Sequence, residues 1–162
     1  MNEQQFHQLA HDAARGEAPV VLAAVDNEPG LVTRGCKMFG MTLLLGACIG
    51  GQAGLARSLL DRKADMNQRN KIGQDALMAA SFKGHCDVIE LLTSRGADID
   101  ARNNDGWTAL AVAAIFENHP ACLCLISKKA DLMAKDNEGT SVLDLSPPKP
   151  QNPCLPSIII IN

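Results

Sequence analysis

The sequence predicts an all-α solenoid of stacked helix–turn–helix units linked by hairpin-like loops. Three observations carry that expectation. Gly40, Gly73, Gly106 and Gly139 stand 33 residues apart. The first three open copies that share leucines and alanines at helical spacing: Leu44, Leu77 and Leu110, then Ala47, Ala80 and Ala113, then Leu59, Leu92 and Leu125. Aromatic residues are scarce, with one Trp, four Phe and no Tyr, so the core is built from Ala, Leu, Val and Ile, which suits helices better than a β-sandwich.

Residues 1–36 read as an irregular first copy. Phe6, Leu9, Ala10, Ala13 and Ala14 fall on one helical face, and Gly16 breaks that helix. Val20, Val21, Ala23, Ala24 and Val25 suggest a second helix ending near Pro29-Gly30. A terminal unit has one neighbour and turns its other face to water, which favours such irregularity. The stretch Lys71–Ala101 is the clearest unit. It predicts a turn at Gly73, an Ala-rich helix through Ala80, a break at Lys83-Gly84-His85, and a second helix from Asp87 to Ser94 stopped by Gly96. One such pair cannot bury its apolar stripe alone, whereas stacked pairs build a continuous core. The connecting segments are polar, and Asn104-Asp105-Gly106 and Asn137-Glu138-Gly139 are turn chemistry. Thr140–Ser146 reads as one more helix, which Pro147-Pro148 ends. The following residues hold five prolines between Pro147 and Pro156 and end in Ile158-Ile159-Ile160-Ile161-Asn162, an extended tail expected to dock on the last helix.

The 33-residue period, the turn, the two antiparallel helices and the closing Gly-Ala-Asp resemble the ankyrin repeat. Gly73, Leu77, Ala79-Ala80, Gly84-His85, Val88-Ile89, Leu92 and Gly96-Ala97-Asp98 match that pattern, and Gly106, Thr108, Leu110, Ala113-Ala114 and Ala130-Asp131 repeat it. The resemblance implies an ankyrin-repeat domain over 1–146. It would comprise a degenerate cap repeat at 1–36, regular repeats at 37–69, 70–102 and 103–135, and a truncated repeat at 136–146, followed by a Pro-rich tail at 147–162. The family's Thr-Pro-Leu-His start is altered to Thr42-Leu43-Leu44-Leu45, Asp75-Ala76-Leu77-Met78, Thr108-Ala109-Leu110-Ala111 and Ser141-Val142-Leu143-Asp144. Without that His, which joins a hydrogen-bond network in the family, the turns are expected to be held less tightly. Lys63 and Lys129 replace the loop glycine seen at Gly96, a strained choice if that position needs positive φ.

Composition narrows the function. A net charge of −3 gives no global attraction to nucleic acid or acidic membranes. No apolar run approaches the roughly 18–20 residues that span a bilayer, and MNEQQFHQLAHDAARGE lacks the layout of a signal peptide. The six cysteines follow no pairing framework, so reduced thiols in a cytoplasmic protein, with the nucleus as the other compartment, are expected.

No catalytic residue, cofactor site or metal site is assigned. Cys122 and Cys124 diverge by about 200° on a helix, and with His119 they make a poor metal site. His85 suits a capping role, Cys86 lacks a third group to fix a base, and His7 and His11, at i and i+4, fit a solvated face better than a ligand pair. Glycine-rich phosphate loops, paired carboxylates and nucleophile elbows are absent from the sequence.

Binding is the remaining role. The resemblance implies a concave face lined by loop tips and first helices, where residues vary between copies. The positions flanking each opening glycine are Met38, Phe39 and Met41, then Lys71, Ile72 and Gln74, then Asn104, Asp105 and Trp107, then Asn137, Glu138 and Thr140. On the first helices the outward positions are Ile49 and Gly50, Phe82 and Lys83, and Ile115 and Phe116. Met38, Phe39, Met41, Lys71, Ile72, Gln74, Phe82, Lys83, Asn104, Asp105, Trp107 and Phe116 are therefore the expected partner-binding residues, with Trp107 as an anchor. The alternative for Phe82, Phe116 and Trp107 is that they lie between units as core.

The expected function is a non-enzymatic, monomeric adaptor or scaffold that binds a protein partner, and not nucleic acid, membrane or a small-molecule substrate. The alternative is an inhibitor or immunity-type protein that blocks one enzyme with the same face. Two further readings are a metal- or thiol-dependent enzyme using Cys86 or His119, and a shortened form of a longer repeat protein.

Overall fold

The computed structural model describes residues 1–144. Four helical pairs follow one another: α1 (Glu3–Arg15) with α2 (Ala18–Asn27), α3 (Leu43–Ile49) with α4 (Ala53–Asp61), α5 (Ala76–Lys83) with α6 (Cys86–Ser94), and α7 (Ala109–Ile115) with α8 (His119–Ser127). A short 3₁₀ turn, Pro29–Val32, follows α2. Among the described residues no strand forms, and pairing is limited to isolated bridges between Gly35 and Thr42 and between Lys135 and Ser141. The expected all-α architecture is present.

Each first helix starts for the same local reason. Thr42, Asp75 and Thr108, one per 33-residue step, cap α3, α5 and α7 by accepting from the backbone N–H of Leu45, Met78 and Ala111 at 3.0, 3.0 and 3.3 Å. A capping side chain of this kind contributes about 1 kcal/mol. Helix α1 carries a reciprocal box between Asn2 and Gln5 and ends on Gly16 in the left-handed region, as the break at that glycine implied. The second helices have no side-chain cap. They begin after tight turns at Gly51, Gly84 and Glu117, all with positive φ.

The first helices α1, α3, α5 and α7 pack in one layer, and α2, α4, α6 and α8 pack behind them in a second. The core runs continuously between the layers. Leu59, Leu92 and Leu125 are fully buried at equivalent positions, so truncating any one to Ala costs about 2–5 kcal/mol. Small residues set the layer spacing. A Cβ added at Gly46 or Gly50 would collide with the backbone carbonyls of Ala10 or Ala14, so α3 lies against α1 as closely as two backbones permit.

Three ladders in the 33-residue register tie neighbouring units. Gln52, His85 and Asn118 stand just before the second helices and reach back to the end of the preceding first helix. Gln52 Nε2 donates to Ala14 O at 3.5 Å, His85 Nε2 to Ile49 O at 3.0 Å and Asn118 Nδ2 to Phe82 O at 2.6 Å. On the second layer, Arg62 grips Asp26 with two hydrogen bonds of 2.9 and 3.2 Å, and Arg95 bonds Asp61 at 2.9 Å. The third ladder joins the loop tips.

Lys63 and Lys129 do adopt positive φ, 69° and 68°, beside 86° at Gly96. The expected strain is real. The segment expected to be helical from Thr140 forms only a turn over its described part: the Asp144 carboxylate accepts from the N–H and hydroxyl of Ser141 at 2.9 and 2.6 Å. Leu145, Ser146 and the Pro-rich tail with its expected docking lie outside the described residues.

Candidate partner-binding surface

The loop tips are short, tightly bonded fingers. Asn70, Asn103 and Asp136 each accept, through Oδ1, from two backbone N–H groups across the turn. Asn70 takes Ile72 and Gln74 at 3.1 and 2.9 Å, Asn103 takes Asp105 and Trp107 at 2.9 and 2.8 Å, and Asp136 takes Glu138 and Thr140, both at 2.9 Å. Gly73, Gly106 and Gly139 close the turns with φ of 79°, 84° and 83°. In the copies that lack the family His, these three turns are bonded by Asx side chains instead.

Fingers also bond to one another. The N–H groups of Lys71, Asn104 and Asn137 donate to Phe39 O, Ile72 O and Asp105 O at 3.0, 3.4 and 3.0 Å. The carboxamides of Asn104 and Asn137 add bonds to Lys71 O and Asn104 O at 3.0 and 2.9 Å. Asn104 is therefore not left free by the scaffold, as its position beside Gly106 suggested. Its side chain is a strut between fingers. Gln74 is likewise committed, accepting from Asn70 Nδ2 at 3.1 Å. The first finger is one residue longer, with Cys36 N–H donating to Met41 O across the turn at 2.9 Å. It has no Asx residue at its base, and Lys37 N–H instead donates to Glu3 Oε2 at 3.2 Å. That bond and Arg34 hold the Glu3 carboxyl below its usual range.

The remaining predicted residues form three neighbourhoods. Met38, Phe39 and Ile72 are 69%, 53% and 55% exposed. Phe39, half-buried Met41 and Ile49 line an apolar cleft of about 140 Å³ with His7, His11 and the small residues of α1 and α3. Phe82 and Phe116 stack edge to face with centroids 4.4 Å apart, and Lys83 Nζ lies 4.8 Å above the Phe82 ring. Phe82 is half-buried and Phe116 is 48% exposed. Trp107 is also half-buried, leaning on the core, and its open side forms a depression with Asp105, Asp136, Glu138 and Thr140. Lys71 and Asp105 are exposed. The fingers consequently change character along the stack, from Lys37, Met38, Phe39, Lys71 and Ile72 to Asp105, Asp136 and Glu138.

Met133, 61% exposed, and Leu123, 48% exposed, are apolar surface residues that the sequence reading passed over. Neither flanks an opening glycine, so only their exposure reveals them. The groups considered for chemistry are held in the framework. The His85 ring packs over Gly51 and bonds Ile49 O, and Cys86 Sγ donates to Gly84 O at 3.7 Å. Burial, with Asp75 nearby, pushes the Cys48 thiol far up, and burial with Cys86 pushes up Cys124, so neither is a ready thiolate. Among the described residues no group of three or more His, Cys, Asp or Glu side chains converges on one point, and no helix is long and apolar enough to cross a membrane.

A family model of ankyrin repeats in three copies matches residues 9–103, more than half of the chain, and one of ankyrin repeats in many copies matches residues 87–126. No curated protein matches the chain.

Proposed function

The chain belongs to the ankyrin-repeat family, whose repeats generally serve as protein–protein interaction modules, and from that premise we infer that it is a non-enzymatic adaptor gripping a protein partner with its finger tips and first helices. We read residues 1–36 as the cap repeat, 37–69, 70–102 and 103–135 as the regular repeats, and 136–146 as a truncated one. One observation supports the reading above others. Phe39 and Ile72 stand more than half exposed at equivalent finger positions, on turns closed by backbone hydrogen bonds and joined to each other from Lys71 N–H to Phe39 O. Apolar side chains on a rigid, pre-paid scaffold lose little entropy on binding, which is what contact anchors need.

The gradient along the fingers specifies the partner's chemistry. Met38, Phe39 and Ile72, with Lys37 and Lys71, suit an apolar segment flanked by acidic groups. Trp107 amid Asp105, Asp136 and Glu138 suits a basic side chain, which an indole face and carboxylates both attract. The Phe82–Phe116 pair with Lys83 lies on the first helices between them. The reading places the protein inside the cell as a monomer. The second reading, an inhibitor that blocks one enzyme with the same face, makes a different prediction. Affinity capture with the full chain should recover a protein whose activity is unchanged by binding if the chain is an adaptor, and an enzyme that loses activity if it is an inhibitor. Recovery of nothing above a scrambled-finger control (Phe39→Ser with Ile72→Ser and Trp107→Ser) would refute both.

A further inference from the structure

We propose that His7 and His11 on α1 form a bidentate site for a divalent late transition metal such as zinc, copper or nickel. The residues lie four apart on one face of a helix, the spacing at which two imidazoles reach one ion. Their Nε2 atoms are 3.1 Å apart. Two nitrogens bound at about 2.0–2.1 Å with an angle of roughly 100–110° at the metal stand about 3.1–3.4 Å from each other. The separation suits one ion shared by both nitrogens once each ring swings its Nε2 lone pair off the line that joins them, and imidazole nitrogen is the donor these metals favour.

The platform under the pair is rigid. Helix α1 is capped at both ends and buries Phe6, Leu9, Ala10 and Ala13 against the core. The two rings meet edge to face with centroids 4.6 Å apart, and the His7 ring lies beside Phe39 at 6.3 Å. The Asp12 carboxylate, next in sequence to His11, accepts from Gln8 Nε2 at 2.8 Å through Oδ1. Without metal, one Nε2–H donates to the other ring. Chelation uses both Nε2 lone pairs, so each neutral ring then carries its proton on Nδ1. The pair borders the cleft of Phe39, Met41 and Ile49. The remaining coordination positions are left to water or to a donor carried by a molecule bound there, so the site adjoins the interaction surface at Phe39 and adds a metal to it.

The test is calorimetric titration of the full chain, free of any oligohistidine tag, with NiCl2 and with ZnCl2. Copper(II) broadening of amide resonances in two-dimensional NMR maps the location. One saturable site is expected, lost in His7→Ala and in His11→Ala and kept in His119→Ala, with broadening centred on α1. His11 is exposed and His7 half-buried, so the melting temperatures of both variants should match the parent. The NMR map of the parent decides the question even if a variant folds poorly. No saturable site, a site that survives both substitutions, or broadening centred on Cys86 and Cys124 would overturn the proposal.

Discussion

Gly73 and Gly96 offer two glycines with nearly the same backbone and very different surroundings. Their φ values are 79° and 86°. A Cβ at Gly96 meets nothing within 4 Å, whereas one at Gly73 would lie 2.6 Å from the backbone nitrogen of Asn104 in the next finger. Gly96→Ala therefore probes the backbone alone. A non-glycine residue in the left-handed region costs about 1–2 kcal/mol, and the unfolded chain's lost freedom returns about 0.5–1 kcal/mol. The net cost is about 1 kcal/mol. Gly73→Ala adds displacement of Asn104, which donates to Ile72 O through its backbone at 3.4 Å and to Lys71 O through its side chain at 3.0 Å. Two such bonds at about 1 kcal/mol each bring the total to about 3 kcal/mol. Urea denaturation followed by circular dichroism measures both. Equal losses for the two variants would refute the claim that inter-finger contact, and not φ alone, fixes the glycine at that position.

Removing strain should work in the opposite sense. Lys63→Gly and Lys129→Gly, at φ 69° and 68°, should each raise stability by about 0.5–1 kcal/mol, the left-handed cost less glycine's entropy, and unchanged midpoints in urea would contradict this. Asp75 is the one charged helix cap among Thr42, Asp75 and Thr108, and burial holds its carboxyl above the usual carboxylate value. A raised folded value means that its contribution is full below the unfolded pKa and is lost as pH rises through the folded one. Asp75→Thr, which keeps the cap without the buried charge, should thus melt higher than the parent near pH 7, with the gap closing toward about pH 4; a gap independent of pH would count against the buried charge. Asn118→Ala removes the 2.6 Å bond to Phe82 O and should cost about 1–2 kcal/mol by leaving a half-buried carbonyl unpaired, as thermal melting will show; a neutral effect would mean the reach-back ladder is dispensable.

Most of the fold was legible because its signals repeat. A glycine, leucine and alanine register at one period fixes both the helical pairs and their stacking, and no single tertiary contact can override it. The breaks at Gly16, Gly84 and Gly96 were readable from glycine alone, and the strain at Lys63 and Lys129 from comparison with Gly96. Glu117, at φ 57°, was missed, although it stands 33 residues after Gly84 and the same comparison would have found it. The Gln52, His85 and Asn118 ladder was hidden because its three members share a position and a role but not a residue type. The site was harder. Exposure of Phe39, Ile72 and Phe116 follows from their place on tips and helix ends, but the structural duties of Asn104 and Gln74 depend on hydrogen bonds across the turn and between fingers, which variation between copies conceals. Trp107 shows the same limit, since a finger position can lean on the core and still keep one face open.

The most direct test compares capture of the partner by a finger variant and a variant of the opposite layer. Phe39→Ser with Ile72→Ser removes two finger anchors that are more than half exposed, and Leu123→Ser removes an apolar residue, 48% exposed, from α8 on the opposite layer. Both should keep the parent's helical circular dichroism and melting temperature. Loss of about 2 kcal/mol or more of binding, read as a Kd weakened about thirtyfold or more, is predicted for the finger variant alone. Undiminished capture by the finger variant, or loss confined to Leu123→Ser, would contradict a binding surface built on the fingers.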